Sequence, residues 1–81
     1  MPMAFVLLNV DIGNEDEVLK AVKKFKEVEE IHKVYGVYDL VAKIRADTMD
    51  KLKDIVTWDV RRVTNVKSTL TMIVIEDSEN T

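Results

Sequence analysis

The stretch Val34-Tyr35-Gly36-Val37-Tyr38-Asp39-Leu40-Val41 lies near the middle of the chain and decides how the rest is read. Two β-branched and aromatic runs flank Gly36, one of only two glycines, so the pattern predicts strand, corner, strand. Gly36 is the residue expected to take a positive φ and reverse the chain between antiparallel strands. Asp39 stands out because a carboxylate at the edge of an apolar strand must find hydrogen-bond donors. The residues alone leave two sources for them, the local backbone or a bound molecule.

Working outward, Val28–Tyr35 alternates Val28, Glu30, His32 and Val34 with Glu29, Ile31, Lys33 and Tyr35. Period two with polar residues on both sides predicts an edge strand. Val37–Ala46 alternates Tyr38, Leu40, Ala42 and Ile44 with Val37, Asp39, Val41, Lys43 and Arg45, a further strand. Upstream, Ala4–Val10 is β-rich and runs into the turn formers Asp11-Ile12-Gly13-Asn14. Asn14 and Glu17 have capping-box spacing, and Val18, Ala21, Val22 and Phe25 fall on one face of a helix predicted over Glu15–Lys26. Lys20, Lys23 and Lys24 face out.

Downstream, Asp47 and Asp50 offer a second helix start, and Met49, Leu52, Ile55 and Val56 form the apolar stripe of a helix reaching about Arg62, with Trp58 sealing its end. Thr64-Asn65 makes the exit turn. Ser68–Ile75 is the last strand, with Thr69, Thr71, Ile73 and Ile75 opposite Leu70, Met72 and Val74. The order β-α-β-β-α-β predicts an α+β, ferredoxin-like fold: a four-stranded antiparallel sheet with both helices on one face. Residues 1–77 read as a single domain and 78–81 as a polar C-terminal tail.

Composition narrows the function. A chain of 81 residues is one domain and buries only about 60% of the surface that its unfolded form exposes. The first and last strands in chain order are apolar on both sides: Phe5 and Leu7 oppose Ala4, Val6 and Leu8, and Leu70, Met72 and Val74 oppose Ile73 and Ile75. The face without helices is therefore expected to pack sheet to sheet in an obligate homodimer. Twelve basic against fifteen acidic residues give a net charge of −3, the wrong sign for binding a phosphate backbone unaided. The absence of Cys, of a secretory leader and of any long apolar run predicts a cytoplasmic protein with no disulfides and no membrane anchor. A chain without Gln and rich in Lys and Glu leans toward a heat-adapted source.

Candidate chemistry is sparse. His32 is the only histidine, with no Cys to share a metal, and reads as a solvated surface residue. No Ser, His and Asp constellation and no phosphate-cradling loop can be assembled, so neither catalytic residues nor a cofactor is expected. Trp58 and Tyr35 read as packing or interface residues, and Arg61-Arg62 as a complement to a helix dipole.

Gly36-Val37-Tyr38-Asp39-Leu40, the strand to Asp47, the amphipathic helix and Val66-Lys67-Ser68-Thr69-Leu70-Thr71-Met72-Ile73-Val74-Ile75 together resemble the effector-binding RAM domain of Lrp/AsnC transcription regulators. The resemblance runs from the first strand to Glu76. It is most specific at the G-x-Y-D corner and the T-x-T final strand. Family regulators carry a helix-turn-helix domain before this half, whereas the first strand here begins almost at Met1, so a stand-alone RAM module is expected. The acidic balance and the lack of a long apolar run are what predict no direct contact with nucleic acid or membrane. The resemblance implies dimers that associate further and a small-molecule effector, usually an amino acid, held where dimers meet. It places Gly36, Tyr38 and Asp39 in the effector pocket, with Thr69 and Thr71 nearby. Thr64-Asn65-Val66 stands where the family usually has Pro-Gly-Val, a different turn beside the pocket.

The leading expectation is thus a non-enzymatic sensor that regulates transcription or amino-acid metabolism through assembly, alone or with a full-length regulator. The alternative is a small dimeric α+β-barrel enzyme such as a cofactor-independent monooxygenase, since one fold serves many functions. That enzyme would set His32 or a Tyr inside an enclosed cavity. A third reading is an oligomerisation partner with no ligand.

Overall fold

A computed structural model describes residues 1–75. Four strands and two helical segments follow in the expected order: β1 (Met3–Val10), α1 (Glu15–Lys23), β2 (Val28–Lys33), β3 (Leu40–Arg45), α2 (Met49–Asp54, continued by a π-helical turn over Ile55–Asp59) and β4 (Val66–Ile73). The strands lie side by side as β2-β3-β1-β4, and every neighbouring pair is antiparallel. This is the ferredoxin-like βαββαβ arrangement, with β2 at an edge as its two-sided polarity predicts. The expected C-terminal tail lies outside the described residues.

The period-two pattern becomes the division between the two faces. Ala4, Val6, Leu8 and Val10 of β1 and Leu40, Ala42 and Ile44 of β3 point under the helices and are buried. There they meet Val18 and Val22 of α1, and Leu52, Ile55, Val56 and Val60 of the second helical segment. No buried side chain among the described residues is polar or charged. Apolar burial, at about 25 cal/mol per Å², is therefore what holds the helices to the sheet.

Several local expectations are corrected. Gly36 does not take a positive φ; of the two glycines only Gly13 does, at 88°. The reversal between β2 and β3 is spread over the six residues Val34–Asp39, so no single position has to adopt a left-handed conformation. Asn65 adopts it instead, with φ 75°, in the Thr64-Asn65 exit turn. Asn tolerates this region better than most residues.

The second helix starts from Thr48, whose Oγ1 accepts the Lys51 N–H (3.1 Å), rather than from Asp47 or Asp50. Asn14 does precede α1, but its side chain donates to Glu17 Oε2 (3.2 Å) and caps no backbone N–H. The first helix ends at Lys23, three residues early. There Phe25 N–H bonds back only to Val22 O (3.1 Å), tightening the last turn before β2. Trp58 is 55% exposed and Tyr35 wholly exposed, so neither packs into the core of the chain; the Arg62 guanidinium lies 5.5 Å above the Trp58 ring.

Candidate functional site: the corner between the second and third strands

The corner is closed by backbone. Val34 N–H donates to Asp39 O (3.0 Å), and Asp39 N–H donates to Leu8 O (2.9 Å), extending the β1–β3 ladder one residue past Leu40. Residues two apart on a strand direct their backbone groups to the same neighbour. Val10 therefore turns its N–H toward the place where β3 would continue, but the chain has already bent away there. The Asp39 side chain fills that place, its Oδ2 accepting the Val10 N–H at 2.9 Å. The donor that the Asp39 carboxylate requires is thus backbone, 29 residues away in sequence. One carboxylate oxygen is committed to the frame, and a carboxylate has acceptor capacity to spare on the other.

Around this fixed point the corner is open. Tyr38 and Asp39 are half-buried, while Val34, Tyr35, Gly36 and Val37 are exposed. A Cβ added at Gly36 meets nothing within 4 Å in the same chain. Below the corner Lys33 Nζ bonds Asp16 Oδ1 (2.9 Å), tying the end of β2 to α1. That hydrogen bond, with the accompanying charge attraction, holds the Asp16 carboxyl below its ordinary range and the Lys33 ammonium above it. Both groups face solvent.

Thr69 and Thr71 do not join Gly36, Tyr38 and Asp39 in one cleft of a single chain. They oppose Leu8 and Val6 on β1, so they lie on the helix side of the sheet. The β1 strand runs between them and β3, a separation of about 10 Å across two strand spacings, and Leu8 and Val6 fill the space between. Both threonines instead line a groove of about 400 Å³ against the second helical segment, with Lys53, Val56, Thr57, Arg61 and Ile73. Sequence reasoning missed this groove. The spacing of Lys53, Thr57 and Arg61 was its one visible signal.

The sheet face without helices carries Phe5, Leu7 and Val41, half-buried, and Leu70 and Met72, 45% and 48% exposed. Beside this apolar half runs a charged one: Arg45 Nε bonds Glu29 Oε2 (3.0 Å), and Lys43 Nζ lies 3.7 Å from Glu29 and 3.9 Å from Glu30. His32 sits on the exposed side of β2 near Glu30 (3.4 Å). Among the described residues no group of His, Asp and Glu side chains could hold a metal ion, and no helix is long and apolar enough to cross a membrane.

Comparison with known proteins agrees with this architecture. The family described as Lrp/AsnC ligand binding domain matches residues 3–81. Among solved structures, FFRP-DM1 is 37% identical, with 93% of this chain and 100% of that one aligned at a TM-score of 0.88. The hypothetical protein PHS023 from Pyrococcus horikoshii is 35% identical over 99% of this chain and 96% of its own, with a TM-score of 0.87. A transcriptional regulator from Neisseria meningitidis, NMB0573, solved as an L-Met complex, shares the fold at 16% identity and a TM-score of 0.81; 95% of this chain covers 51% of that one. Among curated proteins nothing matches the sequence.

Proposed function

We propose, from the premise that the chain belongs to the Lrp/AsnC ligand binding domain family, that it is a non-enzymatic sensor whose effector is an amino acid held at the Gly36–Asp39 corner. The observation that carries this reading is the division of labour at Asp39. One oxygen is fixed by the Val10 N–H, which sets the carboxylate in position before any ligand arrives, and the other is available to an ammonium group. Pre-positioning of this kind removes ordering cost from the binding step. Gly36 leaves backbone accessible beside the carboxylate, and Tyr38 supplies a half-buried aromatic wall. The Neisseria regulator solved with L-Met supports an amino acid as the ligand class.

Effector binding would then be linked to association. Phe5, Leu7, Leu70 and Met72 form an apolar surface of the kind that sheet-to-sheet pairing of two copies buries, and a ligand bound where copies meet favours the assembled state by mass action. In this reading the module acts by changing its own assembly or that of a full-length regulator. Thr69 and Thr71 contribute to the corner site only through a neighbouring copy, because within one chain β1 separates them from it. The exposed position of His32 gives the enzyme alternative no support.

Thermal-shift screening of the intact protein against the twenty amino acids, followed by calorimetry on the best one, tests this reading. A saturable stabilisation that is lost in Asp39→Asn supports it. Equal binding by the variant would remove Asp39 from the site.

A further inference from the structure

Three of the four methionines of the chain line one groove, at the end of the sheet away from the corner. Met3 opens β1, Met49 opens α2, and Met1 precedes both; Pro2, Val74 and Ile75 add apolar walls around a space of about 260 Å³. Arg45 is the one charged residue of the lining among the described residues, so no carboxylate, imidazole or thiol faces the space. Met3, 8% exposed, lies deepest, while Met49 at 38% and Met1 at 72% stand nearer solvent, which leaves a way in.

The start of the chain is held there from both flanks. Pro2 O accepts the Ala46 N–H (3.1 Å) just past β3, and Met3 O accepts the Val74 N–H (2.9 Å) just past β4. Met1 O accepts from Arg45 Nη1 (3.4 Å). These bonds keep residues 1–3 beside Met49, where an untied chain end would fray. Arg45 does not close the groove to a cation. Its Nε bonds Glu29 Oε2 (3.0 Å), which offsets its charge, and its Nη2 bonds Met3 Sδ (3.3 Å). A thioether sulfur has two lone pairs, so that contact orients the sulfur and leaves one pair free. Thioethers are soft, polarisable donors, and a lining of sulfur without oxygen or nitrogen ligands suits Cu(I) and disfavours Mg(II), Ca(II) and Zn(II).

We infer that this groove is a binding site for a soft monovalent cation, Cu(I), held by the sulfurs of Met1, Met3 and Met49. About 23 Å of strand separates Met3 from Val10, the donor that anchors Asp39 at the corner. The site therefore shares no residue with the proposed effector site, and either can fail without the other.

The test is NMR of the full chain carrying methyl-labelled methionine, titrated with Ag(I), a redox-stable stand-in for Cu(I), in buffer free of chloride and thiols. The methyls of Met1, Met3 and Met49 should shift together and saturate at one equivalent. Met72, on the open sheet face, is the internal control and should stay in place. Cu(I) kept reduced by ascorbate should reproduce the shifts, and Zn(II) should move none of the three. Met3→Leu and Met49→Leu nearly conserve volume while each removes one sulfur, so folding should survive, and the dispersion of the same spectra reports whether it does. Each should weaken Ag(I) binding by roughly tenfold or more. The intact mass should show Met1 in place. The absence of saturable shifts at the three methyls would overturn the proposal. So would equal shifts at Met72, no response to Cu(I), the same response to Zn(II), unchanged affinity in both variants, or a native chain from which Met1 has been removed.

Discussion

Replacing Asp39 by alanine removes the acceptor of the Val10 N–H, and the size of the effect follows from where that donor lies. Val10 is 4% exposed, so water cannot substitute freely for the lost carboxylate. An unsatisfied buried backbone donor costs about 1–3 kcal/mol. In a domain of 60–100 residues each kcal/mol lowers Tm by about 4–8 °C, so Asp39→Ala should melt roughly 5–20 °C below the native protein. Asp39→Asn keeps an oxygen acceptor of nearly the same shape and loses only the charge assistance, a cost of about 1 kcal/mol or less. The assay is equilibrium urea unfolding of all three proteins at one fixed concentration, since association shifts apparent stability. The expected order of midpoints is native, Asn, Ala, with unchanged slopes. If Ala and native share a midpoint, the Val10 N–H is satisfied in some other way and the account of the corner as a carboxylate-closed frame fails.

Gly36→Ala should leave monomer stability unchanged or raise it by about 0.4–1 kcal/mol, because φ is not positive there and the new methyl meets nothing in the chain; calorimetry should nevertheless show weaker effector binding if the corner is the site. Leu70→Glu or Met72→Glu, placing a charge on the apolar half of the open face, should convert dimers or their multiples into 9.3 kDa monomers in sedimentation, and a native protein that is already monomeric would refute the pairing. The Asp16–Lys33 pair should appear in a carboxyl NMR titration as an Asp16 midpoint below the ordinary carboxylate value, restored by Lys33→Ala. Since the folded value is the lower one, the pair's stabilisation is present above the unfolded carboxylate pKa and lost as pH falls through the folded one, so its effect belongs to the acid limb. Both groups are exposed, so that effect should be small.

The fold was legible because its signals are periodic and local. Alternation in Ala4–Val10 and Leu40–Ile44, against the three-to-four spacing of Val18 and Val22, determines which residues go under the helices, and that is enough for topology. What stayed hidden depends on contacts between distant segments. The partner of Asp39 could be named only once β1 was known to lie beside β3 with Val10 past the end of the ladder. Gly36 takes no left-handed conformation because a six-residue corner shares the reversal among its members, which a glycine count cannot reveal. The separation of Thr69 and Thr71 from Asp39 is likewise a matter of strand order. The groove these threonines line is walled in part by Val56 and Thr57 of a π turn that no composition rule anticipates.

The bonds at the corner also set how it can move. Asp39 holds both Leu8 and Val10, and the next residue, Asp11, donates its N–H to Asn65 O (3.0 Å) just before β4 begins. The ends of β1, β3 and β4 are thereby stitched together, and their amide protons should exchange with solvent as one cooperative group rather than fray singly. Above them Tyr35, Gly36 and Val37 stand clear of this stitching and fully in solvent. A ligand arriving at the corner would meet a hard floor and a soft rim. The entropy of ordering, at about 1–2 kcal/mol per residue of backbone, is then confined to three residues instead of a whole loop.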